Sequence, residues 1–206
     1  LKQLQGYSGE FNWLATRTRP DVAYYISILA SALTKQAKWS FELAVKVLRY
    51  LKCTKSQGIL LTVHGDLSEL GAWTDAGYAG SDTRSQSGLI ILWGGSIIVW
   101  RSSRQTVSTL STAEAELNAA TLAWQIIEGL RLLMSDFGIT IPRVRLLIDN
   151  QAALTIAMCG ANWRTRYFAV RAARLNEEHL AGRAELVHCP TKQMLADALT
   201  KLATSP

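Results

Sequence analysis

Two apolar segments separated by a glycine-rich turn constrain the fold of this chain more than any other feature. Residues 89–93 and 97–100 flank Gly94-Gly95-Ser96, a pattern typical of two β-strands joined in a hairpin. Because neither segment alternates apolar with polar residues, we expect the hairpin to lie in a sheet covered on both faces. The uncharged stretch around it, residues 85–100, is shorter than the roughly 18 residues of a membrane span, so we expect no membrane partner.

The periodicity of residues 65–206 predicts an α/β domain. The predicted order is βββαβααβα, with a long helix that begins at Ser111 or Thr112 and ends near Gly138. The remaining segments are strands at 70–75, 144–148 and 185–188 and helices at 150–158, 165–181 and 193–202. This order favours a mixed sheet flanked by helices.

Residues 1–64 are predicted to be mainly helical and to form a separate N-terminal domain. We expect one helix to begin at Pro20, a second to span residues 39–53, and a short strand to cover residues 59–63. Gly65-Asp66 is the expected turn at the boundary with the domain of residues 65–206.

The composition excludes several classes of protein. Of the 206 residues, 49% are hydrophobic and 18% are charged, which permits a large core and excludes a disordered chain. Three scattered cysteines argue against a disulfide framework or a zinc site and favour a reducing compartment. The chain begins at Leu1 without a secretory signal, so we expect it to be a piece of a longer protein.

The net charge of +6 lies entirely in the first third of the chain. Residues 1–64 hold nine Lys or Arg against three Asp or Glu, whereas residues 65–206 hold thirteen of each kind. A basic segment beside a neutral domain indicates a polyanionic partner, most often nucleic acid. A solvated helix face rich in lysine explains the same excess equally well.

Four carboxylates occupy positions where ligand sites form in α/β sheets. Asp75 and Asp149 each end a predicted strand, and neighbouring strands bring such acids within a few ångströms of each other. Glu116 heads the stripe of the long helix that faces the sheet, and Asp197 lies among apolar residues near the start of the last helix. Carboxylates this close need a cation between them, and Mg²⁺ is the natural candidate.

The same acids have ordinary structural explanations when they are taken one at a time, as helix caps, turn residues or exposed side chains. Glu114 lies on the more polar face of the long helix, where we expect it to be solvated and to stabilise the helix N-terminus. Four acids at strand ends and helix starts are harder to dismiss together. From the residues alone, a nuclease, a phosphatase and a nucleotide-binding protein remain open.

Weaker candidates accompany these acids. The residues Arg164, Arg166, Arg171 and Arg174 lie within eleven residues that contain no acid, beside Trp163 and Tyr167. Such a cluster grips phosphates, or it forms the solvated face of an amphipathic helix. His188 lies nine residues before Asp197, where it is a candidate for proton transfer or product release. Neither a GxxxxGK[ST] nor a GxGxxG phosphate loop occurs in the sequence.

Four motifs follow one another between residues 73 and 201. They are Trp73-Thr74-Asp75-Ala76-Gly77-Tyr78, Ser111-Thr112-Ala113-Glu114-Ala115-Glu116, Asp149-Asn150-Gln151-Ala152-Ala153 and Ala196-Asp197-Ala198-Leu199-Thr200-Lys201. In order, spacing and content they resemble the ribonuclease H domain of copia-type LTR retrotransposons. Thr18-Arg19-Pro20-Asp21 and Val47-Leu48-Arg49-Tyr50 resemble the end of the same element's reverse transcriptase, so the resemblance covers nearly the whole chain.

This resemblance implies a ribonuclease H-like fold, with three antiparallel strands followed by parallel ones in a five-stranded mixed sheet and an N-terminal helical appendage. It implies that Asp75, Glu116, Asp149 and Asp197 are the catalytic residues and the ligands of two Mg²⁺ ions, with Asp75 shared by both ions. Whether Mn²⁺ substitutes for Mg²⁺ stays open at this point. The implied reaction is metal-dependent hydrolysis of the RNA strand of an RNA–DNA hybrid during reverse transcription. RNA would be told from DNA by contacts to the 2′-hydroxyl.

Partners and substrate contacts follow from the same resemblance. The expected substrate-binding residues are Asn150, Gln151, Arg164, Arg166, Arg171 and His188. The chain contains no Asp-Asp pair, so it does not polymerise DNA alone, and we expect the polymerase domain of the reverse transcriptase upstream in the same polyprotein. The implied location is intracellular, in a cytoplasmic retrotransposon particle.

The sequence departs from the family pattern at two places. Gly77 stands where the family often has a second acid, and residues 164–169 lack its usual His-Ile-Asp/Glu.

The main alternative function is that of a catalytically silent, hybrid-binding connection-type module of a decayed polyprotein, which the retention of all four acids disfavours. An integrase-like transposase orders its acids D, D, E, whereas Glu116 here precedes Asp149. A dimerisation module would leave the four acids unexplained.

Overall fold

The predicted hairpin forms one edge of a five-stranded sheet in the computed structural model, which describes residues 2–62, 67–79, 84–141, 143–163 and 165–201. The strands are β1 (Glu69–Gly77), β2 (Gln86–Trp93), β3 (Ser96–Arg104), β4 (Arg143–Ile148) and β5 (Ala184–His188). The helices are α1 (Lys2–Arg17), α2 (Ala23–Ala32), α3 (Ala37–Cys53), α4 (Thr112–Asp136), α5 (Gln151–Cys159) and α6 (Ala169–Leu180). Short 3₁₀ turns cover Pro20–Val22, Arg166–Phe168, Thr191–Gln193 and Leu195–Leu199. None of the helices in these ranges is long and apolar enough to cross a membrane.

The strand order β3-β2-β1-β4-β5 combines antiparallel and parallel pairing. β2 runs antiparallel to both β1 and β3, whereas β4 runs parallel to β1 and β5 runs parallel to β4. The register places Asp75 opposite Gly88 of β2, and Thr74 opposite Ile148 at the end of β4. The predicted mixed sheet is therefore confirmed, and β1 and β4 end at the same edge.

One face of the sheet is buried against α4, α5 and α6. The side chains of Leu70, Ala72, Leu89 and Ile91 all lie on this face, because residues two apart in a strand point the same way. From α4, the side chains of Leu117, Ala120, Ala123, Trp124 and Ile127 meet them. Burying a side chain of this size stabilises the fold by about 1.5–3 kcal/mol each, so this core fixes α4 over β1 and β2.

The opposite face of the hairpin is covered by the N-terminal helices. Phe11 of α1 and Ile26 and Leu29 of α2 form an apolar cluster with Ile90 of β2. The indole Nε1 of Trp100 donates a hydrogen bond to the carbonyl of Ala15 at 2.6 Å. The expectations of an N-terminal helical appendage and of a hairpin covered on both faces are thus confirmed.

Two local predictions were wrong. Residues 59–62 do not form a strand, and Leu60 and Leu61 are exposed instead of being buried in the sheet. The last helix is replaced by the two 3₁₀ turns Thr191–Gln193 and Leu195–Leu199, because the backbone of Met194 between them is extended and its side chain is buried near Leu147. The predicted boundary at residues 65–66 lies outside the described residues and stays a prediction.

Candidate active site

Three carboxylates from separate elements meet at the edge where β1 and β4 end. Asp75 lies on β1, Asp149 directly follows β4, and Asp197 lies in the 3₁₀ turn Leu195–Leu199. One oxygen of each carboxylate lies within 4.8 Å of the corresponding oxygens of the other two. Negative charges at this separation repel one another unless a cation lies between them. The arrangement therefore suits an oxygen-ligated divalent cation.

Glu116 of α4 lies beside this cluster, close enough to feel the charges of Asp75 and Asp149, but outside the set of oxygens that converge within 4.8 Å among the described residues. Its Oε1 accepts a hydrogen bond from the backbone N–H of Ala76 at 3.1 Å. Its Oε2 is buried and has no hydrogen-bond partner within the described part of the chain. Burial, together with the charges of Asp75 and Asp149, raises the pKa of Glu116 to about 9. A carboxylate oxygen buried without a partner is costly, so its position is explained best by a ligand that it binds.

Asp75 is the most enclosed of the three aspartates, and its carboxylate is held by neighbouring side chains. The hydroxyl of Thr200 donates a hydrogen bond to its Oδ2, and Nζ of Lys201 lies 3.7 Å from the same oxygen. Burial raises the pKa of Asp75, because the opposing effects of Thr200 and Lys201 are smaller. These contacts fix the orientation of the carboxylate before any ligand binds.

Lys201 places a positive charge among the acids. Its Nζ donates to Oδ1 of Asp197 at 2.8 Å, and the side chain remains half exposed. Although burial acts in the opposite direction, the hydrogen bond to Asp197 and the charge of Asp75 raise the pKa of Lys201. The sequence interpretation assigned no role to Thr200 or Lys201. Their spacing of three and four residues after Asp197 was the available signal, because one turn returns the chain to the same side.

The start of α5 explains why Asp149 is free to join the cluster. Oδ1 of Asn150 accepts a hydrogen bond from the N–H of Ala153 at 3.0 Å, so Asn150 caps the helix. Oδ2 of Asp149 accepts a longer hydrogen bond, 3.4 Å, from the hydroxyl of Thr191. Nε2 of His188 donates to the backbone carbonyl of Asp149 at 3.1 Å, which places His188 at the border of the cluster.

The start of α4 positions Glu116 through a cap. Oγ of Ser111 accepts a hydrogen bond from the N–H of Glu114 at 3.2 Å, and Oε2 of Glu114 accepts one from the N–H of Leu110 at 2.8 Å. This reciprocal arrangement resembles a capping box and satisfies amides that the helix leaves unpaired. The predicted cap and the role of Glu114 are confirmed. Its predicted solvation was wrong, because the side chain is buried.

Steric crowding explains why position 77 is a glycine in this structure. A Cβ at this position would lie 2.6 Å from the carbonyl oxygen of Thr200, which is closer than real Cβ atoms approach. The chain therefore has no room here for the second acid that the family often carries.

Residues 165–169 also have a structural role, because Phe168 is buried in the core that α4 helps to form.

The predicted phosphate-binding arginines lie in different surroundings. Arg164 lies outside the described residues. Arg166 stacks over the ring of Tyr167, with its guanidinium carbon 5.6 Å from the ring centroid. Arg171 lines a cavity of about 260 Å³ with Gln105 and Asn118. In the described ranges, neither forms an ion pair with an acid. Arg174 instead pairs with Glu178 at 2.9 Å, which favours a structural role.

Comparison with curated proteins identifies homologues over almost the whole chain. The Pol polyprotein from transposon RE1 of Arabidopsis thaliana is 28% identical over 203 residues, which are 97% of this chain and 14% of that protein. The Gag-Pol polyprotein of transposon Ty1-DR5 from Saccharomyces cerevisiae is 23% identical over 207 residues, 98% of this chain and 12% of that protein. The chain thus spans about one seventh of the length of RE1. No family model matches the chain.

A solved structure is similar in fold. LC11-RNase H1, isolated from compost by a metagenomic approach, superposes with a TM-score of 0.50 and 18% sequence identity over 64% of this chain and 92% of that chain. With the observed strand order, this likeness shows a ribonuclease H-like fold. The resemblance to copia-type retrotransposon Pol polyproteins predicted from the motifs is confirmed by the homologues.

Proposed function

We propose that this chain is the ribonuclease H portion of a retrotransposon Pol polyprotein and hydrolyses the RNA strand of RNA–DNA hybrids during reverse transcription. One observation carries the proposal. On a ribonuclease H-like fold, Asp75, Asp149 and Asp197 converge within 4.8 Å, and the unpartnered oxygen of Glu116 lies beside them. A phosphatase or nucleotide-binding protein, which the residues alone left open, is less consistent with the retrotransposon homologues.

The donor set fits the two Mg²⁺ ions that the family implies. Asp75, Glu116, Asp149 and Asp197 would hold them, because Mg²⁺ prefers carboxylate oxygens and uses few protein ligands. When bound, the ions would supply activation of the attacking water and stabilisation of the leaving oxygen. Mn²⁺ accepts the same oxygen ligands and is the proposed substitute.

The side chains of this protein prepare the site for that chemistry. Ala76 N–H fixes one oxygen of Glu116, so that the other oxygen is presented to the cluster. Thr200 orients the carboxylate of Asp75. The cap at Asn150 leaves the side chain of Asp149 outside the helix hydrogen bonds. Such preorganisation reduces the rearrangement that binding of cation and phosphodiester would require.

The substrate contacts remain proposals. Asn150, Gln151 and His188 lie at or beside Asp149 and are proposed to position the phosphodiester or the 2′-hydroxyl of the RNA strand. Arg166 and Arg171 would contact phosphates farther along the hybrid, and Arg164 is proposed with them from the sequence. Phosphate contacts of this kind add affinity without selecting a base sequence.

A silent hybrid-binding module is the second candidate, and Lys201 is the observation that favours it. An ammonium group bonded to Asp197 and close to Asp75 partly neutralises the cluster without a metal ion. In a silent module this charge would replace the catalytic cation permanently. In the nuclease, the half-exposed side chain would move aside when the cation binds.

The biological context is also proposed. Residues 1–64 would be the end of the reverse transcriptase and residues 65–206 the nuclease domain, with the polymerase upstream in the same polyprotein. A retrotransposon particle in the cytoplasm would be the place of action. These assignments extend the likeness to RE1 and Ty1 to the remainder of the polyprotein, which this chain does not contain.

The test is cleavage of an end-labelled RNA–DNA hybrid by the whole chain with Mg²⁺ or with EDTA. The expected result is metal-dependent cutting of the RNA strand, lost in Asp149→Asn and retained in Asp136→Asn, which changes an exposed aspartate at the end of α4. Duplex RNA and duplex DNA should remain intact. Hybrid binding without cutting by the unsubstituted chain would support the silent module and reject the nuclease.

A further inference from the structure

A groove lies between the N-terminal helices and the sheet, separate from the carboxylate cluster. It has a volume of about 500 Å³. One wall is formed by Tyr24 of α2, Lys35 of the connection between α2 and α3, and Trp39 of α3. The other wall is formed by the end of β1 and by the start of β2 and the end of β3. The groove therefore exists only because residues 1–64 pack on this face of the sheet.

The groove begins two residues beyond the catalytic position on β1. Gly77 and Tyr78 line it, and the register aligns Gly77 with Gln86 of β2 and Gln86 with Arg104 of β3. Residues two apart on a strand point to the same face and lie roughly 6–7 Å apart. A polymer bound at Asp75 therefore reaches the groove within about two nucleotides, since each nucleotide of one strand rises roughly 3.4 Å along the helix axis.

The charge of the groove is positive. Lys35, Arg84 and Arg104 line it, and no Asp or Glu is among the described residues that form its walls. Within the described ranges, none of these three cations forms an ion pair with an acid. Charged side chains that are exposed and lack protein counter-ions attract an external anion. The carboxylates nearby bind cations, so the groove is electrostatically distinct from the cluster.

Aromatic side chains interleave with these charges. Trp39 and Tyr78 are both 42% exposed, although large aromatic residues usually bury most of their surface. Trp39 belongs to none of the apolar clusters found among the described residues. A half-exposed ring beside unpaired cations is the combination that binds a nucleic-acid strand, because bases stack on the ring while phosphates pair with the cations.

The two walls are held together by a buried polar residue. Nε2 of Gln86 donates hydrogen bonds of 2.8 Å to the hydroxyls of Ser27 in α2 and Ser102 in β3. Because Gln86 is buried, these bonds exchange little with water and fix α2 relative to the strands. The groove is therefore preformed, which lowers the entropic cost of ordering a ligand in it.

We propose that this groove binds the sugar–phosphate backbone of a nucleic-acid strand that continues from the carboxylate cluster, with Lys35, Arg84 and Arg104 on its phosphates and Trp39 under a base. The proposal rests on the proposed function, because it names a second contact for the same substrate. It also gives the basic first third of the chain a specific task, to build one wall of the substrate path.

The test measures binding apart from cleavage. The whole chain carrying Asp149→Asn is titrated onto fluorescein-labelled RNA–DNA hybrids in which one strand continues as a single strand past the duplex, the RNA strand in one substrate and the DNA strand in the other. Anisotropy is followed over a range of salt concentrations. Adding Lys35→Gln, Arg84→Gln and Arg104→Gln should reduce the slope of log affinity against log salt by about 2, because each lost phosphate contact removes roughly 0.7–0.9. Trp39→Ala should weaken binding about 5-fold or more, the low end of a lost base stack.

Matched controls distinguish the contribution of the groove to binding from the contribution of net charge. Lys46→Gln, Lys52→Gln and Lys55→Gln remove three exposed charges of the same N-terminal segment outside the groove, and Trp13→Ala removes an exposed tryptophan of α1. These control variants should retain most of the affinity and most of the slope of log affinity against log salt. Thermal unfolding checks that every variant folds. Equal binding by groove and control variants overturns this inference. If the unsubstituted chain also cuts hybrid in that case, the proposed function stands. Failure of the unsubstituted chain to bind hybrid at all would overturn both.

Discussion

Two buried glutamates lie in opposite electrostatic surroundings. Glu178 in α6 is almost completely buried, yet Nε of Arg183 lies 2.6 Å and Nη2 of Arg174 lies 2.9 Å from its carboxylate oxygens. The hydrogen bond from Arg183 lowers the pKa of Glu178. Glu116 is also buried, and among the described residues the charged groups that act on it are Asp75 and Asp149. Burial and these two charges raise its pKa to about 9.

This difference separates an acid that the protein neutralises itself from one that it leaves available to a cation. A carboxylate that the protein itself neutralises contributes to stability, and its removal damages the fold. A carboxylate kept beside other acids lowers stability unless it gains a cation from outside. Burial alone would place both residues in one class, so the partner of each carboxylate is the informative observation.

The largest effect is expected when Glu116 is neutralised. Glu116→Gln should lower the rate of hybrid cleavage by about 100-fold or more, because a cation ligand worth several kcal/mol in the transition state is lost. Its melting temperature without metal should stay the same or rise at neutral pH, because a carboxyl with a pKa of about 9 must take up a proton on folding and glutamine need not. Cleavage rate and thermal unfolding are measured on the same preparations. Unchanged cleavage would remove Glu116 from the site.

The matching change in the other region is Glu178→Gln. We expect a loss of about 2 kcal/mol in the free energy of unfolding, because two arginines keep only a neutral partner and are themselves half exposed. Urea denaturation measures this loss. Hybrid cleavage by the folded variant should remain at the parental rate. Glu177→Gln, at an exposed neighbour with a weaker 3.8 Å contact, is the matched control and should cost much less.

The dependence of stability on pH tests the role of Glu178. Because its pKa is lowered on folding, the ionised carboxylate stabilises the native state fully above the ordinary glutamate pKa, and this contribution is lost as the pH falls through the folded value. The difference in stability between parent and Glu178→Gln should therefore be constant near pH 7 and shrink below about pH 4.3. A difference that stayed constant into acid would mean that the ion pairs contribute nothing.

The smallest effect is expected at Lys201, which supplies the only positive charge found in contact with the cluster among the described residues. Lys201→Met should lower the melting temperature in EDTA by about 2–4 °C, as expected for roughly 1 kcal/mol at a half-exposed ion pair. Mg²⁺ should then stabilise the variant more than the parent, because the cation no longer competes with the ammonium group. Lys192→Met, at an exposed lysine of the neighbouring 3₁₀ turn, is the control. Equal shifts in both variants would contradict the competition.

Local patterns were sufficient to predict much of the fold. Gly94-Gly95-Ser96 predicted the hairpin because a tight turn needs backbone angles that glycine adopts easily, and both glycines have positive φ. Ser111 predicted the start of α4 through its cap. The segments at 59–63 and 193–202 failed because their outcome depends on partners distant in the sequence. Residues 59–62 gain no strand to pair with, and the burial of Met194 interrupts the last helix.

The sequence by itself determined where the four candidate acids lie, because positions at strand ends and helix starts follow from local periodicity. The partners of those acids were decided only by the tertiary structure. Lys201 bonds to Asp197 four residues away and also contacts Asp75 on β1, and Glu116 meets Ala76 across the helix–sheet interface. Periodicity indicates the face on which a side chain lies but not the side chain that it meets there. That is set by how the helices pack on the sheet, and the same packing turns the N-terminal helices into one wall of a groove.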